Sequence, residues 1–263
     1  MKRQCKKGVK RLKYYRDLIV ILTQKEVKVR YKSTFFGYVW SIAHPLAFAF
    51  VFFMAFKVVM RIQMEGYAVF LIAGLFPWQW FSNSVNASPT VFLHNPSLIK
   101  KVNLPRNILP LATVLQDMIH FLLAIPVIVL FLFIYHKSPS FSWLYGIPLL
   151  LTIQLLMTYG LTLIISSLNL FIRDLERLTS IFMTLLFYFT PVIYPETMIP
   201  ARYKALVLFL NPLSSLMISW RNLFLDGTLE ISLVAVSFAY SLFVLMLGYK
   251  VYTRLAWKFA EVL

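Results

Sequence analysis

The chain has 263 residues, of which 60% are hydrophobic and 14% charged, and its net charge is +16. Soluble domains carry about a quarter charged residues, so this composition excludes an ordinary globular protein and points to one embedded in a membrane. Twelve of the 26 Lys and Arg fall in residues 1–32, ahead of the first long apolar run, a placement that holds a terminus in the cytoplasm and argues against a nucleic-acid partner.

A membrane span takes about 20 residues, so the length suits one membrane domain of six spans with no room for an ATPase beside it. The basic start is not followed closely by a long apolar core, residues 18–22 being the only early candidate, so the N-terminus is expected to be retained rather than cleaved. Cys5 is the single cysteine and can form no internal disulfide. Residues 1–13 read as a basic tail. From there Leu12, Tyr15, Ile19 and Leu22 recur at spacings of three and four, the mark of an amphipathic helix. Its expected place is the membrane surface, with its cations near anionic lipid head groups, or the face of a partner protein.

The first span is expected over 36–60, kinked at Pro45, with Lys57 reaching back to the interface on its long stem. After a turn at 61–66, a second span over 67–93 carries Gly74, Pro77, Asn83, Ser84, Asn86, Ser88 and Pro89 in a polar, irregular pattern that suits contact with other helices or a channel rather than lipid. Residues 94–107, with Lys100, Lys101 and Arg106, form a basic inner loop. Span three, 108–135, places Gln116, Asp117 and His120 in its inner half. These form a polar cluster or a proton relay, Asp117 and His120 being three apart on one face. An outer loop over 136–143 leads to span four, 144–171, then to a compact charged turn, Arg173-Asp174-Leu175-Glu176-Arg177, fit for local ion pairs or for docking a partner.

Span five is expected over 178–194. The stretch after it, 190–224, is too apolar for a loop, yet Pro191, Pro195, Pro200 and Pro212 interrupt it too often for one helix. Two short helices that dip into the membrane and turn back fit both facts. Such broken backbone survives at membrane depth only where protein buries it or water reaches it. Asp226-Gly227 is a turn, span six covers 231–252, and Arg254 and Lys258 mark an inner C-terminus. On this topology 20 cations lie inside, while Lys57, Arg61, Lys137, Arg202, Lys204 and Arg221 lie outside or near it, a bias that places both termini in the cytoplasm. The domain division is thus 1–35 as basic tail and interface helix, 36–252 as the membrane domain, and 253–263 as a cytoplasmic tail.

No G-x-x-x-x-G-K-[ST] run is present to cradle nucleotide phosphates, and no metal-ligand or nucleophile motif occurs. The spans hold few acids, which disfavours a proton-driven carrier; active transport would draw its energy from another polypeptide. Aromatic residues cluster at span ends. An interfacial belt accounts for them, or some of Tyr38, Trp40, Trp78, Trp80, Tyr159, Tyr188 and Tyr194 line a conduit, since Tyr and Trp combine an apolar face with a polar tip and so suit a sugar chain. A polytopic membrane enzyme acting on lipid-linked sugars and a passive channel remain alternatives.

Five stretches in order, VRYKSTFFGYVWSIAHPL at 29–46, LFPWQWFSNSV at 75–85, NPSLIKKVNLPRNILPL at 95–111, LNLFIRDLERL at 168–178 and TPVIYPETMIP with NPLSSLMISWRNLF beyond it, resemble the membrane subunits of ABC-2 type polysaccharide exporters, the O-antigen, capsule and teichoic-acid group. The resemblance implies a homodimer in the bacterial inner membrane, forming a channel for a glycan on a polyprenyl pyrophosphate lipid. It also implies two copies of a separate ATPase subunit, which would hold ATP and Mg; this chain would be no enzyme and need no cofactor or metal. Arg30, Tyr31 and Lys32, with Arg173, Asp174, Glu176 and Arg177, would contact that ATPase. Helices at 200–209 and 213–224 would flank the exit, with Pro195, Pro200, Asn211, Pro212 and Arg221 as an outer gate.

Overall fold

A computed structural model describes residues 2–31, 39–59, 61, 64–101 and 104–262; Lys32 and Tyr38 lie outside them. Every regular element among the described residues is helical. In chain order these are α1 (Lys2–Tyr31), α2 (Trp40–Phe53, continued as a π-helical segment Met54–Val59), α3 (Tyr67–Ala87), α4 (Pro96–Lys101), α5 (Ile108–Ile134), α6 (Trp143–Asn169), α7 (Leu175–Phe189), α8 (Ala201–Leu210), α9 (Pro212–Asp226), α10 (Ile231–Leu255) and α11 (Phe259–Val262).

Three helical stretches among the described residues are long and apolar enough to cross a membrane: Ile108–Ile134, Trp143–Asn169 and Ile231–Lys258. At 21 residues α3 is long enough, but Gln79, Ser82, Asn83, Ser84 and Asn86 make it more polar. It is instead largely enclosed, with Tyr67, Phe70, Leu71, Phe76, Trp80 and Phe81 all buried. Of the polar residues named, only Ser84 is buried, and the others lie on sides of α3 left partly open.

The main core is an aromatic ladder joining α3, α5, α6 and α9. Trp80 stacks on Phe121 with ring centres 5.6 Å apart, Phe121 meets Trp220 edge-on at 5.1 Å, and Trp220 stacks on Phe224 at 5.3 Å. Each indole N–H in the ladder finds an acceptor, as a buried Trp requires. Trp80 donates to the Val114 carbonyl at 3.1 Å and Trp220 to Gln154 Oε1 at 2.6 Å, while the Gln154 amide donates to the Pro77 carbonyl at 2.8 Å. Gln154, fully buried, thus bridges α3, α6 and α9 in an environment where an unmet donor costs ~1–3 kcal/mol.

The amphipathic helix differs from expectation in two ways. It begins at Lys2, so the basic tail is helical, and part of its apolar face is occupied by the chain itself. Tyr15, Leu18, Ile19 and Leu22 pack with Phe92, Ile99, Leu109, Leu170 and Phe259 in a second core, at the end of the bundle that holds α4 and α11. Burying such side chains is worth ~1.5–3 kcal/mol each relative to leaving them in water, so part of this face is spent on packing within the chain, while Tyr14, Val20 and Ile21 stay exposed. Lys57 likewise finds a protein partner, its Nζ donating to the Met64 carbonyl at 2.8 Å.

Candidate functional site

α7 is only 15 residues long. Asp174 and Glu176 set negative charge at its N-terminal end, where the helix dipole favours it, and Thr190 turns to an extended ψ of 132° before Pro191 ends it. The result leaves a groove between α7, α2 and α3, with a volume of about 290 Å³. Its floor and walls alternate rings with polar groups: Phe48 and Phe52 from α2, Trp78, Gln79, Ser82, Asn83 and Asn86 from α3, and Ser180, Thr184, Phe187 and Tyr188 from α7. Phe187 organises the rings, lying 5.4 Å from Trp78, Phe52 and Tyr188 in turn. Residues 79, 83 and 86 follow one face of α3 at helical spacing, so amides run along the groove rather than across it.

The sequence candidates distribute unevenly around this groove. Trp78 and Tyr188 line it, and Tyr194 sits at its margin, its hydroxyl donating to the Tyr188 carbonyl at 3.1 Å. Trp40 is exposed on α2. Trp80 is 2% exposed and lies in the core against Phe121. Tyr159 is committed elsewhere, its hydroxyl donating to the Asn107 carbonyl at 3.2 Å and accepting from the Asn107 amide at 3.3 Å.

At the opposite end from α4 and α11, the proline-rich stretch holds α8 and α9 as two short helices. Asn211 joins them: its Oδ1 accepts from the Leu213 N–H at 3.1 Å while its Nδ2 donates to Thr190 Oγ1 at 2.9 Å, tying the start of α9 to the end of α7. Pro212 takes the first helical position, where a missing N–H is harmless. Pro200 is exposed, in the extended residue before α8. Pro195 lines a cavity of about 460 Å³ together with Glu196, Tyr135, Lys137 and Arg221. Arg221 is the least expected of these: it is 4% exposed, donates to the Pro191 and Val192 carbonyls at 2.6 and 2.9 Å, and lies 3.8 Å over the Phe70 ring. It is an anchor for the 191–192 backbone rather than a free outer charge. Asp117 accepts from Ser84 Oγ at 2.9 Å, a structural bond between α3 and α5.

Arg30 and Tyr31 end α1, and Arg173, Asp174, Glu176 and Arg177 are exposed in and beside the turn between α6 and α7. Sequence reasoning missed Gln154, whose signal was a lone amide inside an otherwise apolar stretch, and Gln79, which opens the polar half of its span.

The ABC-2 type transporter family model matches residues 17–225. The chain is 46% identical to an O-antigen export system permease protein RfbA of Klebsiella pneumoniae over 96% of this chain and 97% of that protein. It is 34% identical to the protein of that name from Myxococcus xanthus, over 84% and 85%, and 26% identical to the polysialic acid transport protein KpsM of Escherichia coli, over 72% and 74%. With its helical bundle, apolar spans and a family match that covers most of its length, the chain belongs to the ABC-2 type transporters.

Proposed function

We propose that this chain is the transmembrane subunit of an ABC exporter that carries a lipid-linked polysaccharide of the O-antigen type across the bacterial cytoplasmic membrane. The groove between α2, α3 and α7 carries the reading. Its rings offer flat apolar faces and its amides and hydroxyls offer hydrogen bonds along the same track, the two features a sugar chain presents in return. Two copies facing each other across their grooves make the conduit. The apolar surface that α7 leaves bare, Leu178, Ile181, Phe182, Leu185 and Phe189, supports burial against a second copy and lipid.

In this reading α2, α3 and α7 join α5, α6 and α10 as six spans, both termini are cytoplasmic, and α8 and α9 re-enter the membrane from outside beside the exit. ATP and Mg bind on two copies of a separate ATPase subunit. That subunit docks against the end of α1 and the Arg173–Arg177 turn, where exposed charges of both signs suit a partner surface.

Deleting the chain should strip the glycan from the cell surface and build up its lipid-linked form inside, and the tagged chain should co-purify with an ATPase. Unchanged surface glycan together with solitary purification would sink the reading. For the coupling turn, Asp174→Lys combined with Glu176→Lys should lower export roughly tenfold, the effect of ~1.4 kcal/mol of lost contact, at normal membrane levels of the protein. Export at the wild-type rate would leave the turn a solvated surface.

A further inference from the structure

We propose that a second cavity, walled by α1, α3 and α5, is a hydroxyl-recognition subsite that takes one sugar ring of the glycan at the cytoplasmic entrance; this rests on the export reading above. The cavity measures about 260 Å³, roughly nine waters at ~30 Å³ each. Glu26, Asn83, Thr90, Gln116 and Asp117 contribute its polar lining.

Gln116 is 6% exposed, and what remains accessible lines this cavity. Its amide makes no hydrogen bond with any described residue. Its polar atoms are not among those sealed without a partner in the core, so they are open to water or a ligand in the cavity, where an amide can both donate and accept. Asn83 is a second uncommitted amide among the described residues, and it lines both this cavity and the aromatic groove. One side chain thus joins the two spaces, so a ring leaving the cavity passes directly to the track beside Trp78. Asp117 is 3% exposed and its carboxylate is fixed by the bond from Ser84 Oγ, which sets its orientation before any ligand arrives. Lys25 Nζ donates to Asn95 Oδ1 at 2.7 Å and holds α1 against the cavity rim.

The donor and acceptor set selects the ligand. An amide supplies both a donor and an acceptor and a carboxylate supplies acceptors, while each sugar hydroxyl both donates and accepts. Apart from Asp117 and His94 the described polar lining is amides and hydroxyls, and the Glu26 carboxylate is paired with Lys25 Nζ at 3.2 Å, so neutral hydrogen-bonding groups dominate it. No cluster of His, Cys, Asp or Glu among the described residues is placed to hold a metal ion. A neutral polyhydroxyl ring is the class that fits.

The test uses the complex with its ATPase in proteoliposomes. The probes are the lipid-linked glycan extracted from cells lacking this chain and the free oligosaccharide released from it by mild acid. Gln116→Leu should raise the glycan concentration giving half-maximal ATPase stimulation by roughly five- to twentyfold, with the same rate at saturation. Asn83→Leu, at a half-exposed position that tolerates substitution, should act in the same direction, and Gln116→Asn should shift it less. Free oligosaccharide should compete in the wild type and lose that effect in Gln116→Leu. Wild-type stimulation with both leucine variants within twofold of normal would overturn the subsite while leaving export standing. A wild-type complex neither stimulated by the lipid-linked glycan nor able to move it would overturn the export reading itself.

Discussion

A Gly248→Leu chain is expected to fail to fold into a stable membrane protein. α6 and α10 approach each other at Gly160 and Gly248, where a Cβ on Gly248 would stand 2.2 Å from the Gly160 carbonyl oxygen and 2.9 Å from its carbon. The reciprocal Cβ on Gly160 would meet the Leu245 nitrogen at 2.6 Å and its Cα at 2.7 Å. These neighbours are backbone and cannot rotate away, so any side chain forces the helices apart. Between helices in lipid there is little hydrophobic drive to compensate; close backbone approach at small residues supplies the packing that holds them. Overpacking costs ~1–3 kcal/mol when side chains can yield, and more is expected here because they cannot. Size-exclusion of the detergent-solubilised protein should lose its monodisperse peak in Gly248→Leu and broaden less in Gly248→Ala, while Phe243→Leu, at an exposed position on α10, keeps it. A sharp wild-type peak from Gly248→Leu would refute the contact.

Arg221→Met should destabilise the protein by ~3 kcal/mol, because each of two hydrogen bonds from a charged donor is worth ~1.5–3 kcal/mol and both carbonyl partners are left unmet. For a domain of this size that is roughly a 6–12 °C fall in the unfolding midpoint. The guanidinium fits a slot made for it. Gly74 has no side chain, and a Cβ there would come within 2.9 Å of the Arg221 terminal nitrogen and 3.3 Å of the Val192 carbonyl oxygen. Arg221→Lys keeps the charge but loses the planar guanidinium face that lies over the Phe70 ring, and should recover only part of the loss. Since Pro191 and Val192 lead from α7 into the stretch before α8, export should fall along with stability. A thermal midpoint unchanged in Arg221→Met would show that the 191–192 backbone does not depend on this anchor.

The aromatic residues mark where reading the sequence reached its limit. Trp78 and Trp80 stand two residues apart on one helix, and at 3.6 residues per turn they point to nearly opposite faces. One enters the groove and the other the core. Nothing local distinguishes two tryptophans in an apolar run; the distinction lies in Phe187 on α7 for the first, and in Phe121 and the Val114 carbonyl on α5 for the second. Arg221 was counted with the outer charges for the same reason. Its partners, the Pro191 and Val192 carbonyls and the Phe70 ring, belong to segments remote in sequence.

What the sequence determined by itself is the part that depends on nearest neighbours along the chain. Its apolar runs and proline breaks marked the helices, Pro212 opened α9, and Gly227, at a φ of +67°, closed it. The excess of Lys and Arg before residue 33 supplied the expected orientation, and the order of five motifs supplied the family. The tertiary structure alone decided which face of each helix is spent on packing. It turned the apolar stripe of α1 inward onto Phe92 and Phe259, and it left the Gln116 and Asn83 amides facing open cavities. A helical pattern fixes which residues share a face, but the packing of distant helices fixes what that face meets.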